Sequence, residues 1–526
     1  MHRTLSAAGD GGDGDDRAGE MTTAHRAASA LANARFPVER AGNGHLCAGS
    51  GSALPPDIAA KVEDHPCYSE EAHHHFARMH VPVAPACNIQ CHYCNRKFNC
   101  ASENRPGVVS ALLTPEQALI KVRAVAQAIP QLSVVGIAGP GDALANPGPT
   151  LRTCALIARH LPGMKLCLST NGLALPEHVE AIAAAGVTHV TVTVNMIDPE
   201  VGERIYPWID FRGKRYLGRE ASRILSERQL EGIALLAARG ILVKVNSVLI
   251  PGVNDAHLPL VCRRVRSLGC FIYNVMPLVS APEHGTHYGL AGQRGPTAAE
   301  LEAVQRACGG TFVMRHCRQC RADAVGLLGE DRRAEFELSR LSGVPDLDGG
   351  PARELHRRAA ARQRSESARA RARAMERAAT VGALRVRVAV ATRGGGRVNE
   401  HFGHAREFQV YEAGRAGATL IGVRRVANYC LGGEAAEGAM EGVLRALSDC
   451  AAVLVSKVGR CPAERLRQAG IEAVDRYAFA FIEEAVLAHL RACADRGAQV
   501  EDDDGPRPPS VSSIGANEDP SSRQPP

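Results

Sequence analysis

The chain has 526 residues, with 45% hydrophobic and 22% charged side chains, an ordinary globular composition with room for about three domains. No run of ~18 apolar residues is present to span a bilayer, and the Gly- and Asp-rich stretch over 9–16 lacks the layout of a secretory signal, so a cytoplasmic protein is expected. The net charge of +6 is accounted for by residues 351–380, where nine Arg face three Glu; with aromatics at 4% and no basic patch interleaved with them, nucleic-acid binding is not expected.

Residues 1–55 are rich in Ala, Gly, Asp and Ser, and disorder is expected there. Short apolar, β-branched runs then occupy 81–86, 133–138, 165–170, 189–195, 242–250 and 271–276, alternating with helical patterns. The clearest helix opens with Thr114 at the N-cap and Pro115 in the first turn. Six β-α units are too few for a closed eight-fold barrel, so 56–345 is expected to form an α/β domain built as a partial, open (βα)6 TIM-like barrel. The Arg/Ala stretch over 352–379 has strong helix formers and almost no apolar stripe, which reads as a solvated helical linker within 346–383. The β-α alternation restarts at 386–391, and a smaller α/β domain is expected over 384–493. The acidic, then Pro- and Ser-rich, segment 494–526 is again expected to be disordered.

In a reducing cytosol, seventeen cysteines point to metal ligation or chemistry rather than disulfides. Cys87, Cys91 and Cys94 stand at spacings of four and three directly after the first apolar run. Three thiolates from one loop can hold three irons of a [4Fe-4S] cubane and leave the fourth open. An open iron can chelate S-adenosylmethionine (SAM) and reduce its sulfonium, releasing a 5′-deoxyadenosyl radical. The alternative is a tetrahedral zinc knuckle completed by His92 or Cys100.

The loop resembles the radical SAM signature, with Tyr93 at its aromatic position. That resemblance implies a Gly-rich turn at Ala138-Gly139-Pro140-Gly141-Asp142 approaching the SAM amine, with Gly139 giving close approach and Asp142 offering an acceptor. Asn171 and Asn195 close the third and fourth runs, at the barrel face where chemistry gathers; strand-end turns are their other reading.

Further soft ligands surround this motif: His65 and Cys67 before the first run, Cys100 after the triad, and Cys317 with Cys320 after the last unit. The late C-x-x-C alone could equally be a redox dithiol or a zinc half-site. Cys154, Cys167, Cys262, Cys270 and Cys308 fall within strand or helix patterns and are expected to be core. His73, His74 and His75 point in different directions along a helix, so packing or exposure is expected rather than a single-metal site.

Taken together, HPCYSEEAHHHFARMH, CNIQCHYCNRKFNC, Glu103-Asn104-Arg105-Pro106, AGPGD, TVTVN and CRQCRADAVG resemble, over about 45–345, the NifB family of nitrogenase iron-molybdenum cofactor biosynthesis. The resemblance implies two auxiliary [4Fe-4S] clusters beside the SAM-binding one. It further implies their fusion and insertion of a carbide from a SAM methyl group, giving the [8Fe-9S-C] precursor. His65, Cys67, Cys100, Cys317 and Cys320 are then the implied auxiliary ligands, and Glu103 and Arg105 belong to an E-x-R-P motif near the cluster cavity, with Glu103 a candidate base. Cluster donors, an electron donor such as a ferredoxin, and downstream cofactor carriers and maturation scaffolds are the implied partners.

The segment 384–490 resembles the NifX and NafY cofactor-binding domains, which implies a ribonuclease H-like fold. Its Gly-rich loop over 394–396 precedes His401 and His404, which could anchor an iron-sulfur precursor or simply cap a turn; Cys430 is a weaker candidate. Two other functions remain open at this level: a radical SAM synthase of the molybdopterin-precursor type, and a non-catalytic cluster carrier.

Overall fold

The computed structural model describes residues 54–309, 312–341, 349–426, 430–431, 434–435 and 438–502. Six parallel strands form the first domain: β1 Ala77–His80, β2 Leu132–Ile137, β3 Lys165–Thr170, β4 His189–Thr193, β5 Leu242–Leu249 and β6 Ile272–Pro277. They pair in sequence order, and a short strand β7, Val325–Gly326, adds antiparallel to the outer edge of β1. The helices α1 Pro115–Ala128, α2 Pro147–His160, α3 Leu175–Ala184, α4 Gly218–Ala238 and α5 Leu258–Ser267 connect consecutive strands, and α6 Ala298–Ala307 follows β6. This is the expected open (βα)6 barrel. α1 begins as anticipated: the Thr114 hydroxyl accepts from the Gln117 N–H, and the Gln117 side chain accepts from the Thr114 N–H, satisfying two otherwise orphaned donors.

Alternation along the strands creates two unlike faces. On β2, Val135 and Ile137 join the core under the helices while Val134 and Gly136 face the interior; on β5, Val243 and Val245 join that core while Lys244 and Asn246 face inward. The interior is therefore a cavity into which polar side chains reach rather than a filled barrel.

The first strand corrects the sequence expectation. It lies at Ala77–His80, ahead of the apolar run 81–86. Pro82 and Pro85 have no N–H to give a ladder, whereas Arg78 and His80 sit within β1 and face the cavity. The 81–86 run is instead the connection that delivers the cysteine loop. That loop is held by an extra layer: Ile89–Gln90 pairs with Trp208–Phe211, which pairs with Lys214–Leu217.

The second domain is a mixed five-stranded sheet in the order β10-β9-β8-β11-β12, as expected of a ribonuclease H-like domain. Its strands are β8 Val386–Val390, β9 Glu407–Gly414, β10 Gly417–Arg425, β11 Ala452–Leu454 and β12 Glu472–Val474. Helix α7, Gly350–Ala378, precedes it, and α8 Ala439–Ala446, α9 Arg460–Gln468 and α10 Ile482–Asp502 complete it. The tails expected to be disordered, 1–55 and 494–526, fall largely outside the described residues, except that 494–502 continue α10. Among the described residues no helix is long and apolar enough to cross a membrane.

The linker is a second correction. α7 buries a stripe of small residues, Ala360, Ala370, Ala374 and Ala378. Ala360 packs on Ala72 and Phe76 of the first domain, while Ala374 and Ala378 enter the core of the second. Its polar side chains bind both sides: His356 Nε2 meets the His75 carbonyl at 2.8 Å, Arg357 pairs with Asp64, and Arg371 pairs with Glu483. Alanine is too weakly apolar to register as a stripe, yet it permits close helix approach. The two domains are thus clamped together. Replacing Ala360 with Glu would bury an unpaired carboxylate and should cost about 2–3 kcal/mol, read as a lowered thermal midpoint, whereas Glu at exposed Ala361 should leave the midpoint unchanged.

Candidate functional site

A cavity of about 310 Å³ runs through the barrel interior and opens at the C-terminal ends of the parallel strands. Cys87, Cys91, Cys94 and Tyr93 enter it from the cysteine loop, Asp142 and Asn171 from the turns after β2 and β3, Arg105 from the E-x-R-P segment, His65 and Cys67 from the N-terminal stretch, and Cys317 and Cys320 from the late loop. Residues spread over some 250 positions in sequence therefore share one chamber.

The turn after β2 sets the cysteine loop in place. The Gly141 and Asp142 N–H groups donate to the Ala84 and Ala86 carbonyls, each at 2.7 Å. A side chain at Gly141 would collide with the Pro85 and Ala86 carbonyl oxygens, and Gly139 turns the chain at φ +126°, so both positions require glycine. The buried Asp142 carboxylate accepts from the Leu144 N–H at 2.9 Å, the Thr170 hydroxyl at 3.0 Å and the Asn171 N–H. Burial raises its pKa, against the opposing effect of these hydrogen bonds. Asn171 in turn donates to Asn88 at 2.7 Å, beside Cys87.

Asn195 stands behind the wall. Its amide donates to the Tyr93 and Tyr206 hydroxyls, both at 2.9 Å, and accepts from the Val248 N–H. It positions Tyr93.

All of these cysteines are free thiols. Burial pushes Cys87 up to about 11 and raises Cys91 and Cys94 as well; Cys67 rises to about 12 for the same reason. The donor set suits an iron-sulfur cluster: three half-buried thiols reach the chamber from one loop, and a cubane's ligands hold different irons, so they need not meet at one point. Among the described residues no three His, Cys, Asp or Glu gather as a single-ion site. His65 accepts the Cys67 N–H on Nδ1 at 3.2 Å and leaves its buried Nε2 without a partner.

Other expected residues, Arg105 excepted, stand outside the chamber. Cys100 lies beyond its wall, with its thiol 3.5 Å from the Ser102 hydroxyl, a contact that lowers its pKa. Arg321, fully buried and paired with Asp323, holds this segment against the late loop by donating to the Cys100 carbonyl at 2.9 Å. Glu103 pairs with Lys97 and Arg105; burial raises its pKa, but these hydrogen bonds outweigh it and hold the carboxylate low, which disfavours it as a base. Arg105 reaches the chamber with Nη2 buried and unpartnered. His401 caps the short helix Phe402–His404, accepting the Gly403 N–H on Nδ1 at 3.0 Å, with His404 4.9 Å away; neither lines the chamber. The Cys430 side chain lies outside the described set. The His73–His75 cluster is an interdomain seam, where His73 meets Gln409 and the His74 carbonyl accepts from the Gly395 N–H at 2.7 Å.

Several lining residues were not anticipated. Lys244 is buried, 5.6 Å from the Tyr68 ring; burial lowers its pKa, but the neighbouring cysteines Cys67, Cys167, Cys317 and Cys320 outweigh that and raise it. Arg78 donates to Cys320 Sγ at 3.2 Å, and His80 is tied to the Arg321 carbonyl at 2.8 Å. Cys167, expected in the core, lines the chamber instead. For Lys244 and Cys167 the signal was positional: each is a reactive side chain inside a strand pattern, on the face opposite the apolar one.

Family models described as Radical SAM superfamily and Dinitrogenase iron-molybdenum cofactor match residues 81–265 and 384–491. The FeMo cofactor biosynthesis protein NifB of Herbaspirillum seropedicae is 57% identical over 84% of this chain and 85% of its own. Its counterpart from Bradyrhizobium diazoefficiens is 56% identical over 85% and 89%, and that from Rhodobacter capsulatus 58% identical over 83% and 98%.

Because Asp142 gathers three donors, its replacement by Asn would set an NH2 group against one of them. The variant should lose about 1–3 kcal/mol of stability, measured by denaturant unfolding, and SAM cleavage should fall by about tenfold or more as the cysteine loop loosens.

Proposed function

The chain belongs to the NifB family, a radical SAM enzyme of FeMo-cofactor biosynthesis, and on that premise we propose that it fuses two [4Fe-4S] clusters and inserts a SAM-derived carbide to form the [8Fe-9S-C] precursor. One observation carries the reading: the C-x-x-x-C-x-x-C thiols and the ligands His65, Cys67, Cys317 and Cys320 open into the same chamber. A carrier would have no need to place its cargo beside a SAM site, and a SAM enzyme acting on an organic substrate would have no need of so many soft ligands.

In this reading Cys87, Cys91 and Cys94 hold the SAM-binding cluster, which supplies one-electron cleavage of the SAM sulfonium when bound. Tyr93 and Asn171 border the SAM pocket, with Asn195 fixing Tyr93 from behind. Asp142 serves by shaping the turn, since its oxygens are already taken by protein donors. The substrate clusters are held by His65, Cys67, Cys317 and Cys320, with Cys100 brought in by movement of its exposed segment. Arg105, with its free Nη2, and Lys244 offset the negative charge of the clusters. The second domain, through His401 and His404, receives or hands on the product to carrier proteins. Cluster donors and a ferredoxin-type electron donor complete the set of partners, in the cytoplasm.

Two measurements test this. Alanine at any one of Cys87, Cys91 or Cys94 should abolish formation of 5′-deoxyadenosine while auxiliary-cluster EPR signals persist; full cleavage in Cys91→Ala contradicts the assignment. Replacing Cys317 and Cys320 together should reduce the iron content from the about twelve irons of three cubanes and stop precursor formation, yet permit uncoupled SAM cleavage. An unchanged iron count would make the pair a dithiol or a structural feature.

A further inference from the structure

The loop over 317–320 has two faces. One closes the chamber just described. The other faces a second cavity, of about 260 Å³, enclosed by β6 and α6 of the first domain and by β9 and β10 of the second. The two spaces share Met276, Pro277, Met314, Cys317, Arg318 and Gln319 as a common wall.

The second space is cationic. Arg315 and Arg318 line it from the first domain and Arg424 and Arg425 from the second, against one lining carboxylate, Glu302. The Arg318 side chain is 2% exposed and pairs with Glu407 at 2.8 Å, while Arg424 pairs with Asp449 and Arg387 with Glu302. Arg425 donates to the Arg318 carbonyl across the domain boundary.

The shared wall is thin and strained. Gln319 has φ +48°, a left-handed conformation uncommon for a residue with a side chain. It is held there by its side chain donating to the Pro277 carbonyl at 2.7 Å. The loop is pinned by the Gln319 and Arg78 side-chain bonds on the first domain and by the Arg318–Glu407 pair and the Arg425 bond on the second, a few polar ties whose exchange would give the partition two arrangements.

We propose that the arginine-lined cavity between the domains is a transit chamber, through which an anionic iron-sulfur product passes from the catalytic chamber, past the 317–320 loop, to the second domain. The proposal rests on the function given above and adds a route to it. Clusters bearing thiolate and sulfide ligands are anionic, and guanidinium groups are weakly hydrated cations suited to a partly dry interface. Shared walls make the second domain a continuation of the active site rather than a tethered receiver.

Gly422 provides the test. It lines the second cavity, its backbone is in an ordinary conformation, and a Cβ there would meet nothing within 4 Å. Gly422→Trp in the full chain should fill the cavity without displacing the fold. SAM cleavage and precursor made in a single turnover should match the parent protein, while transfer to an added acceptor should slow by about tenfold or more. Gly422→Ser, which leaves most of the space open, should transfer normally, and Arg425→Gln should transfer slowly.

Equal transfer rates in the parent and Gly422→Trp would overturn the route, as would loss of single-turnover synthesis in Gly422→Trp with the fold intact by circular dichroism. A parallel reading needs no synthesis. A synthetic [4Fe-4S] thiolate cluster loaded onto the full chain should be released to an apo-ferredoxin more slowly from Gly422→Trp, and equal release overturns the route. Absence of precursor from the parent protein, with slowed release of the synthetic cluster in the variant, would instead remove the proposed function and leave the route standing.

Discussion

One buried carboxylate organises the site. Asp142 accepts donors from its own turn and from the end of β3, while its N–H is bonded to the connection leading from β1. Three strand ends are thereby locked at one point, and the cysteine loop departs from that point. In a barrel left open, the strand ends on the chemical face have no complete ring of neighbours to hold their turns. The site needs its turns fixed by polar contacts within the interior, and each such contact must be complete, because a buried donor without a partner is costly. Asn195, saturated between Tyr93, Tyr206 and Val248, repeats the same device one strand away.

The same interior polarity governs what could be read from sequence. Strand periods announced β2 to β6 because their helix-facing residues are aliphatic without interruption, as Val243 and Val245 show on β5. β1 escaped because its inward positions are Arg78 and His80, and the apolar run after it belongs to a proline-broken connection. The motifs were legible because their spacing is local: three thiols in one loop are close wherever the chain goes. Which distant Cys and His side chains share the chamber was not legible from spacing, since that depends on Arg321 and the late loop crossing back over β1.

The linker illustrates a different limit. Hydrophobic patterning weighs alanine as nearly neutral, so a helix that packs through Ala360, Ala370, Ala374 and Ala378 reads as solvated. Its arginines reinforced that impression, yet several serve as donors across the seam, as when Arg364 binds the Glu63 carbonyl at 2.6 Å. Long guanidinium side chains bridge surfaces that small residues bring together. The consequence is architectural: the second domain docks against the seam formed by His73 and His74 and against Arg318 of the late loop.

Charge within the chamber connects this architecture to its chemistry. Burial holds Cys87 near 11 and Cys67 near 12, so if these thiols bind clusters as proposed, loading must displace their protons. The thiolates then formed are anionic in a poorly solvated space, where uncompensated charge is expensive. Arg78, Arg105 and Lys244 supply cations from β1, the E-x-R-P segment and β5, with Arg78 already donating to Cys320. Arg78 and Lys244 are anchored on strands, and Arg105, buried within its otherwise exposed loop, is tied to Glu103 and the Asn95 carbonyl, so little ordering remains to be done when the anions arrive. A chamber built this way favours the loaded over the empty state without holding preformed thiolates, and the same excess of cations continues through Arg318 into the space between the domains.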